Sequence, residues 1–178
     1  MPPRTGRSAA VIARLAELAE IPQLNVVEAD ASRVFLAEPD FAFVAQYPLP
    51  DEDAYVPFIT ERRAFVCDGA DAIAGFILMG DIDSNGHIFQ VSVRAGLQRR
   101  GVGRLLIAAG ETWARQQGHR AVTLTTFRDL PWNAPAYARL GYTFMDEGTR
   151  GPMISHILEN ERALGLFRQV RVAMIKQV

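Results

Sequence analysis

The chain has one cysteine, three histidines and a formal net charge of −1 over 178 residues, and each scarcity removes a class of protein. A lone Cys67 excludes an internal disulfide and fits a reducing compartment. It lies in an apolar run, where a thiol reads as a small buried hydrophobe rather than a nucleophile. His87, His119 and His156 share no ligand spacing, so no metal site is expected. A chain so near neutrality has no overall attraction for nucleic acid or an anionic membrane. No stretch reaches the ~18 apolar residues of a membrane span. The opening MPPRTGRSAAVIARL is basic and partly apolar, but Arg14 interrupts its apolar run. It is not read as a signal peptide, and the cytoplasm is the expected compartment. Internal repeats, low-complexity tracts and linkers are missing as well. What is left, 49% hydrophobic and 22% charged residues, predicts a single folded domain over residues 9–178 behind a loose basic tail at residues 1–8.

The most informative stretch runs from His87 to Gly118. HIFQVSV carries the β-branched and aromatic residues of a strand, RAGLQRRGVG is a turn rich in Gly and Arg, and RLLIAAGETWARQQG has helical spacing. Val102, Leu105, Leu106, Ala109 and Trp113 share a face at three- and four-residue intervals, and Gly118 stands where the helix should stop. A strand feeding through a glycine turn into a helix N-terminus makes an anion site. The first N–H groups lack partners inside the helix, and the helix dipole adds positive charge. Arg99, Arg100 and Arg104 add fixed charge at the same place. A phosphate-bearing ligand is expected there, but two common phosphate loops do not fit. A dinucleotide fingerprint needs a third glycine where Leu106 stands, and a Walker loop needs a Gly-Lys-Ser/Thr triplet that does not occur.

The turn does match Gln/Arg-x-x-Gly-x-Gly/Ala, as Gln98-Arg99-Arg100-Gly101-Val102-Gly103, and so resembles the pyrophosphate arm of the GNAT (GCN5-related) N-acetyltransferases. Downstream, Asn133 and Tyr137-Ala138-Arg139-Leu140-Gly141-Tyr142 resemble the family's Asn…Tyr-x-x-x-Gly-Phe/Tyr block, in the right order. The resemblance implies an α/β fold with a mixed, mostly antiparallel central sheet, a parallel splayed strand pair and flanking helices. It also implies acetyl-coenzyme A as the acetyl donor. The phosphates would be held by the turn Gln98, Arg99, Arg100, Gly101, Val102, Gly103 and Arg104, chiefly through backbone amides. The pantetheine arm would lie like an added strand between Val91, Ser92 and Val93 on one side and Thr125 and Thr126 on the other. A backbone N–H near Val91 is the candidate oxyanion donor. Tyr137 matches the family's general acid, which assists the departing thiolate. Asn133 either contacts the cofactor arm or caps the short helix; it stands four residues before Tyr137, where many members have it seven before.

The remaining segments fit one mixed domain. Ala9 to Leu15 is a first strand by resemblance, although at that length periodicity leaves strand and helix open. Ile21 to about Phe35 reads as a helix with Pro22 near its start and Leu24, Val27, Ala31 and Val34 on one side; Glu38-Pro39-Asp40 breaks it. For Phe41 to Ile59 a second short helix with irregular flanks is expected. Arg62–Cys67, Ala72–Met79 and His87–Val93 should form an antiparallel meander, joined by Asp68-Gly69-Ala70-Asp71 and Asp83-Ser84-Asn85-Gly86, both with hairpin chemistry. The helix over 101–117 then returns the chain to a parallel strand at Ala121–Phe127. A short helix at Pro135–Leu140 closes at Gly141. Strands at Tyr142–Asp146 and Arg168–Lys176 end the chain, with a short helix in SHILENERALG between them.

The catalytic base is where the sequence departs from the family. Many members carry a glutamate in the strand before the turn; the matching residue here is Gln90, and an amide takes up no proton at neutral pH. Asp81 or Asp83 could act through water, though both read better as a solvated hairpin end. Trp132 reads equally as core or pocket wall. Asp51-Glu52-Asp53 could draw a cationic amine, but a charge run is usually solvated loop. Residues 148–167, with Glu159 and Glu161, could wall the acceptor site or cap the sheet edge. The expected function is direct transfer of acetyl from acetyl-coenzyme A to a primary amine of a small molecule or protein. No covalent acyl-enzyme is expected, because no Cys or Ser sits with a base partner. Two alternatives stay open: a non-catalytic coenzyme A-binding sensor or partner module, and a transferase for a longer acyl group. The acceptor is not legible, and a homodimer is one of the assemblies left open.

Overall fold

The longest hairpin of the chain turns on two residues. Asp83 (φ 50°) and Ser84 (φ 63°) both occupy the left-handed region that a two-residue primed turn requires. They join β3 (Ile73–Ile82) to β4 (Asn85–Val93), so Asn85 and Gly86, expected in the turn, already belong to the strand. The computed structural model describes residues 12–164, 166 and 169–178. The tail expected at residues 1–8 and the first part of the strand expected from Ala9 lie outside these. Five further strands are β1 (Ala13–Leu15), β2 (Ala64–Asp68), β5 (Ala121–Phe127), β6 (Thr143–Phe144) and β7 (Arg171–Gln177). The sheet order is β1-β2-β3-β4-β5-β7-β6. Every neighbouring pair is antiparallel except β4–β5, which is parallel, giving the mixed α/β sheet expected.

Helices cover both faces. On one lie α3 (Val102–Gln116) and the short α4 (Ala134–Arg139); on the other lie α1 (Ile21–Ser32), the short α2 (Val56–Thr60) and α5 (Pro152–Ala163). The buried face of α3 is Val102, Leu106, Ile107, Gly110, Trp113 and Ala114. Leu105, expected inside, is 39% exposed, and Ala109 is only half-buried. The cause is a close approach to β3. A Cβ on Gly110 would lie 2.6 Å from Met79 Sδ, so the bare glycine backbone sets the rotation of the helix and turns Leu105 outward. Glu111 on the same helix is buried, but paired: Lys176 Nζ of β7 donates to both its oxygens at 2.8 and 2.9 Å, and the Tyr142 hydroxyl donates at 3.1 Å. That triad ties α3 to the last strands.

On the opposite face, Leu24 and Val27 of α1 are fully buried in a cluster with Phe76 and Leu78. Ala31 and Val34, expected beside them, instead line a cavity. The helix stops at Ser32 and passes into a 3-10 stretch, Arg33–Ala37. The short helix expected within Phe41 to Ile59 is α2, and its irregular flank holds 3-10 turns at Pro39–Gln46 and Glu52–Ala54. Helix α5 receives its N-terminal cap from another element: the Met153 and Ile154 N–H groups donate to the two oxygens of Asp83 at 3.1 and 2.9 Å. Cys67 is buried within the core beneath α3, and desolvation pushes its thiol pKa up.

Candidate active site

Strand β4 is bulged at Phe89. Leu78 of β3 faces Gln90 while its neighbour Met79 faces Ile88, so Phe89 has no opposite residue. The parallel seam ends at the same point: it pairs Gly86 with Val122, His87 with Thr123 and Ile88 with Leu124, and goes no further. Beyond it β4 stays with β3 as far as Val93, and β5 stays with β7 as far as Phe127. A bulge bends its strand and increases its twist, so the two strands diverge. Their facing edges from Phe89 to Val93 and from Thr125 to Phe127 have no ladder partner in the sheet. An extended ligand with amide groups can fill that role.

The open end of the gap meets the turn before α3. Arg99 (φ 59°) and Gly101 (φ 91°) are both left-handed, which curls the backbone just ahead of the helix. The first intrahelical bond runs from the Leu105 N–H to the Gly101 carbonyl, leaving the N–H groups of Val102, Gly103 and Arg104 without helical partners. Arg99, Gly101, Gly103 and Arg104 line the cavity that continues into the gap. Gln98 lines it too, and its side-chain amide donates to the Val93 carbonyl at 3.1 Å, lashing the turn to the end of β4. Val102 turns its side chain into the core and offers only its backbone. Arg100 is exposed and does not reach the cavity wall. Curled amides, a long helix behind them and two arginines suit a diphosphate.

Tyr137 projects from α4 toward the gap. Its ring packs edge-on to Tyr142 with centroids 5.7 Å apart, and its hydroxyl has no hydrogen-bond partner among the described residues. Desolvation pushes its pKa up to about 12, against a smaller opposing pull from Arg171. Asn133 occupies the N-cap position by its backbone, since its carbonyl accepts from the Ala136 and Tyr137 N–H groups. Its side chain does not cap. Nδ2 donates instead to Thr126 Oγ1 at 2.8 Å, tying α4 to β5. Val91, Ser92 and Val93 line the gap opposite, and Gln90 Nε2 donates to Ser92 Oγ at 2.8 Å.

The cavity, about 940 Å³, passes through the gap to the other face of the sheet. There α1 presents Glu28, Ala31, Ser32 and the Phe35 that follows it, a stripe at helical spacing. The Tyr55 hydroxyl lies 2.9 Å from Glu28 Oε2 and 2.9 Å from Asn25 Oδ1. Burial raises the Glu28 carboxyl above its usual range and the Tyr55 hydrogen bond only partly offsets this. Across the cavity, Arg171 of β7 donates to Glu161 of α5 through Nε at 2.9 Å and Nη2 at 2.5 Å. Thr125 joins that pair, and the guanidinium covers the Phe127 ring at 4.7 Å. Trp132 is cavity wall, stacked edge-on to Phe35.

Several expected candidates are elsewhere. Asp81 pairs with His119 at 2.5 Å, and Asp83 caps α5; both lie at the end of β3 remote from Val93, so neither serves the cavity as a base. Asp51, Glu52 and Asp53 are solvated. Glu161 walls the site, whereas Glu159 is exposed. Glu28 and Arg171 were missed by sequence reasoning. A single charged residue on an amphipathic helix or at the start of a strand carries no local signal of what it faces.

A curled amide turn, a strand pair held apart and a tyrosine at the opening fit the acyltransferase class. Comparison with known proteins gives the same class. The Acetyltransferase (GNAT) family profile matches residues 29–142, more than half of the chain. The chain belongs to the GNAT acetyltransferase family. Solved structures of similar fold include the PaiA N-acetyltransferase of Thermoplasma acidophilum in complex with coenzyme A (TM-score 0.68, 11% identity, 96% of this chain and 100% of that one). N-acetylglutamate synthase of Neisseria gonorrhoeae, complexed with coenzyme A and N-acetyl-glutamate, is similar over 96% of this chain and 36% of its own (TM-score 0.70, 15% identity). The ribosomal-protein-alanine N-acetyltransferase of Brucella melitensis matches over 94% and 99% (TM-score 0.65, 15% identity). At these identities the likeness is one of fold. Among the described residues no helix is long and apolar enough to cross a membrane.

Proposed function

We propose that this chain transfers an acetyl group from acetyl-coenzyme A directly to a primary amine. The observation that carries the reading is the gap opened at Phe89, with the α3 turn at one end and the Tyr137 hydroxyl on its wall. The amides of Val102, Gly103 and Arg104 and the side chains of Arg99 and Arg104 would grip the diphosphate. The free edge at Val91, Ser92 and Val93 would take the pantetheine amides, with Thr125 and Thr126 opposite. When bound, acetyl-coenzyme A supplies an activated acyl carbon and a thiolate leaving group. Tyr137 is suited to the leaving side. With its pKa pushed up to about 12 it keeps its proton at neutral pH and can pass it to the departing sulfur. Asn133, by its bond to Thr126, holds α4 where that transfer needs it.

Tyr137→Phe tests the reading. Coenzyme A thiol release should fall by about 10²–10⁴-fold, while acetyl-CoA affinity by calorimetry stays within about twofold. A wild-type protein that binds acetyl-CoA but releases no thiol with any amine would be a sensor; one faster with longer acyl-CoA thioesters would be a different transferase. No heat of binding with acetyl-CoA would end the proposal.

A further inference from the structure

Gln90 cannot take up a proton, yet amine acylation needs a base. We propose that Glu28 fills that role: its carboxylate receives the acceptor's ammonium group and removes its proton, and the acceptor class is a small cationic amine on an apolar body. This rests on the acetyl-transfer reading above.

Position comes first. Glu28 lies on the one stripe of α1 that looks into the cavity, facing Phe89 and Gln90 at the gap. The helix is fixed there from both sides. Leu24 and Val27 are buried beneath it, and the Ala95 N–H just after β4 donates to Asp30 Oδ2 at 2.8 Å. Charge comes second. Glu28 forms no ion pair among the described residues, and its hydrogen-bond neighbour is the Tyr55 hydroxyl, which also lies within reach of Asn25 Oδ1. Several other described charges on this sheet face have partners. Arg171 is spent on Glu161 and Thr125, Arg63 pairs with Glu61 at 2.6 Å beside the Phe58 and Phe89 rings, and His87 is buried and neutral. Among the described residues that line the cavity on this face, Glu28 is the one carboxylate without a cationic partner. A half-buried carboxylate without a counter-ion gains most from a cationic ligand. The surrounding wall is apolar and aromatic, formed by Phe35, Val44, Tyr47, Phe89, Trp132 and Leu166. An amine with an apolar body fits it, and a carboxylate beside the amine would be repelled by the Glu28 charge.

The step balances. Glu28 takes one proton from the ammonium and later yields it to water. The freed nitrogen forms a C–N bond to the acyl carbon as the C–S bond breaks. Tyr137 gives its proton to sulfur and is reprotonated by the one the nitrogen sheds. Burial raises the Glu28 pKa toward the working range of a base, and the Tyr55 hydrogen bond limits that rise.

The test uses the full chain with acetyl-CoA, and phenethylamine and phenylalanine as probes. Wild type should acetylate phenethylamine with kcat/KM at least about tenfold above phenylalanine. Glu28→Gln should lose at least about 100-fold on phenethylamine at neutral pH, regain rate as pH rises and frees the amine, and keep wild-type acetyl-CoA affinity. Tyr55→Phe, which deletes the bond that lowers the Glu28 pKa, should move the acid limb of kcat/KM to higher pH; in Glu28→Gln that limb should be gone. A Glu28→Gln enzyme within about threefold of wild type, with acetyl-CoA still bound, overturns the base assignment. Equal use of phenylalanine, or wild type that binds acetyl-CoA but ignores phenethylamine, overturns the acceptor class. Failure to bind acetyl-CoA at all would instead sink the transferase reading.

Discussion

At the scale of single residues, burial sets the chemistry. His87 is 2% exposed, and its Nδ1 lies 2.9 Å from Thr123 Oγ1. The Thr123 hydroxyl also reaches the Gly86 carbonyl at 3.2 Å, so the ring nitrogen, the hydroxyl and the carbonyl form one buried chain. Burial lowers the His87 pKa from 6.5 to about 4, with a smaller opposing pull from the Asp83 charge. The unfolded chain takes up a proton near the ordinary histidine pKa, which the folded chain refuses until about pH 4. Stability is therefore complete above the unfolded value and lost as pH falls through that window, by up to about 3 kcal/mol. Urea melts should show this slope in the wild type and its near absence in His87→Gln.

At the scale of elements, two glycines of the turn–helix unit do opposite jobs. Nothing lies within 4 Å of a Cβ built on Gly101, so Gly101→Ala meets only its own left-handed backbone. It should cost about 1 kcal/mol of stability and weaken acetyl-CoA binding severalfold, because the amides it aims are displaced. Gly110→Ala collides with Met79 and should cost about 1–3 kcal/mol with affinity unchanged. Thermal melts and calorimetry on the pair separate the two roles. The strand–turn–helix unit was legible because a glycine-punctuated turn is a local property; strand β5 was read to the residue. The rotation of α3 was not, since Leu105 and Leu106 offer apolar stripes of equal merit and only contact with β3 chooses. The bulge at Phe89 was hidden for a similar reason: no glycine or proline marks it. Glu28 was hidden because its partner Tyr55 follows a 3-10 turn in a segment with no periodicity to read.

At the scale of the whole molecule, the sheet is two sheets joined along three residue pairs. Strands β1–β4 and the set β5, β7 and β6 meet only at Gly86–Ile88, with α3 lying across both and the Tyr47 hydroxyl reaching the Leu164 carbonyl on the far side of the cavity. A ligand that pairs with both open edges should close that seam. Hydrogen exchange with and without acetyl-CoA should slow most at Phe89–Val93 and Thr125–Phe127, and little in β1 and β2. Whole-sheet topology was readable through the resemblance, while the far side of the cavity was not, because it is assembled from α1, the 33–49 segment, α5 and β7. The Glu111 triad carries one more consequence. Lys176 is the only lysine in the chain, and its ammonium group is held by both oxygens of Glu111 over the Tyr142 ring. Amine-reactive dyes and cross-linkers should thus find no unengaged side chain to modify, and acetylation of the protein by its own activity has no ready lysine on which to land.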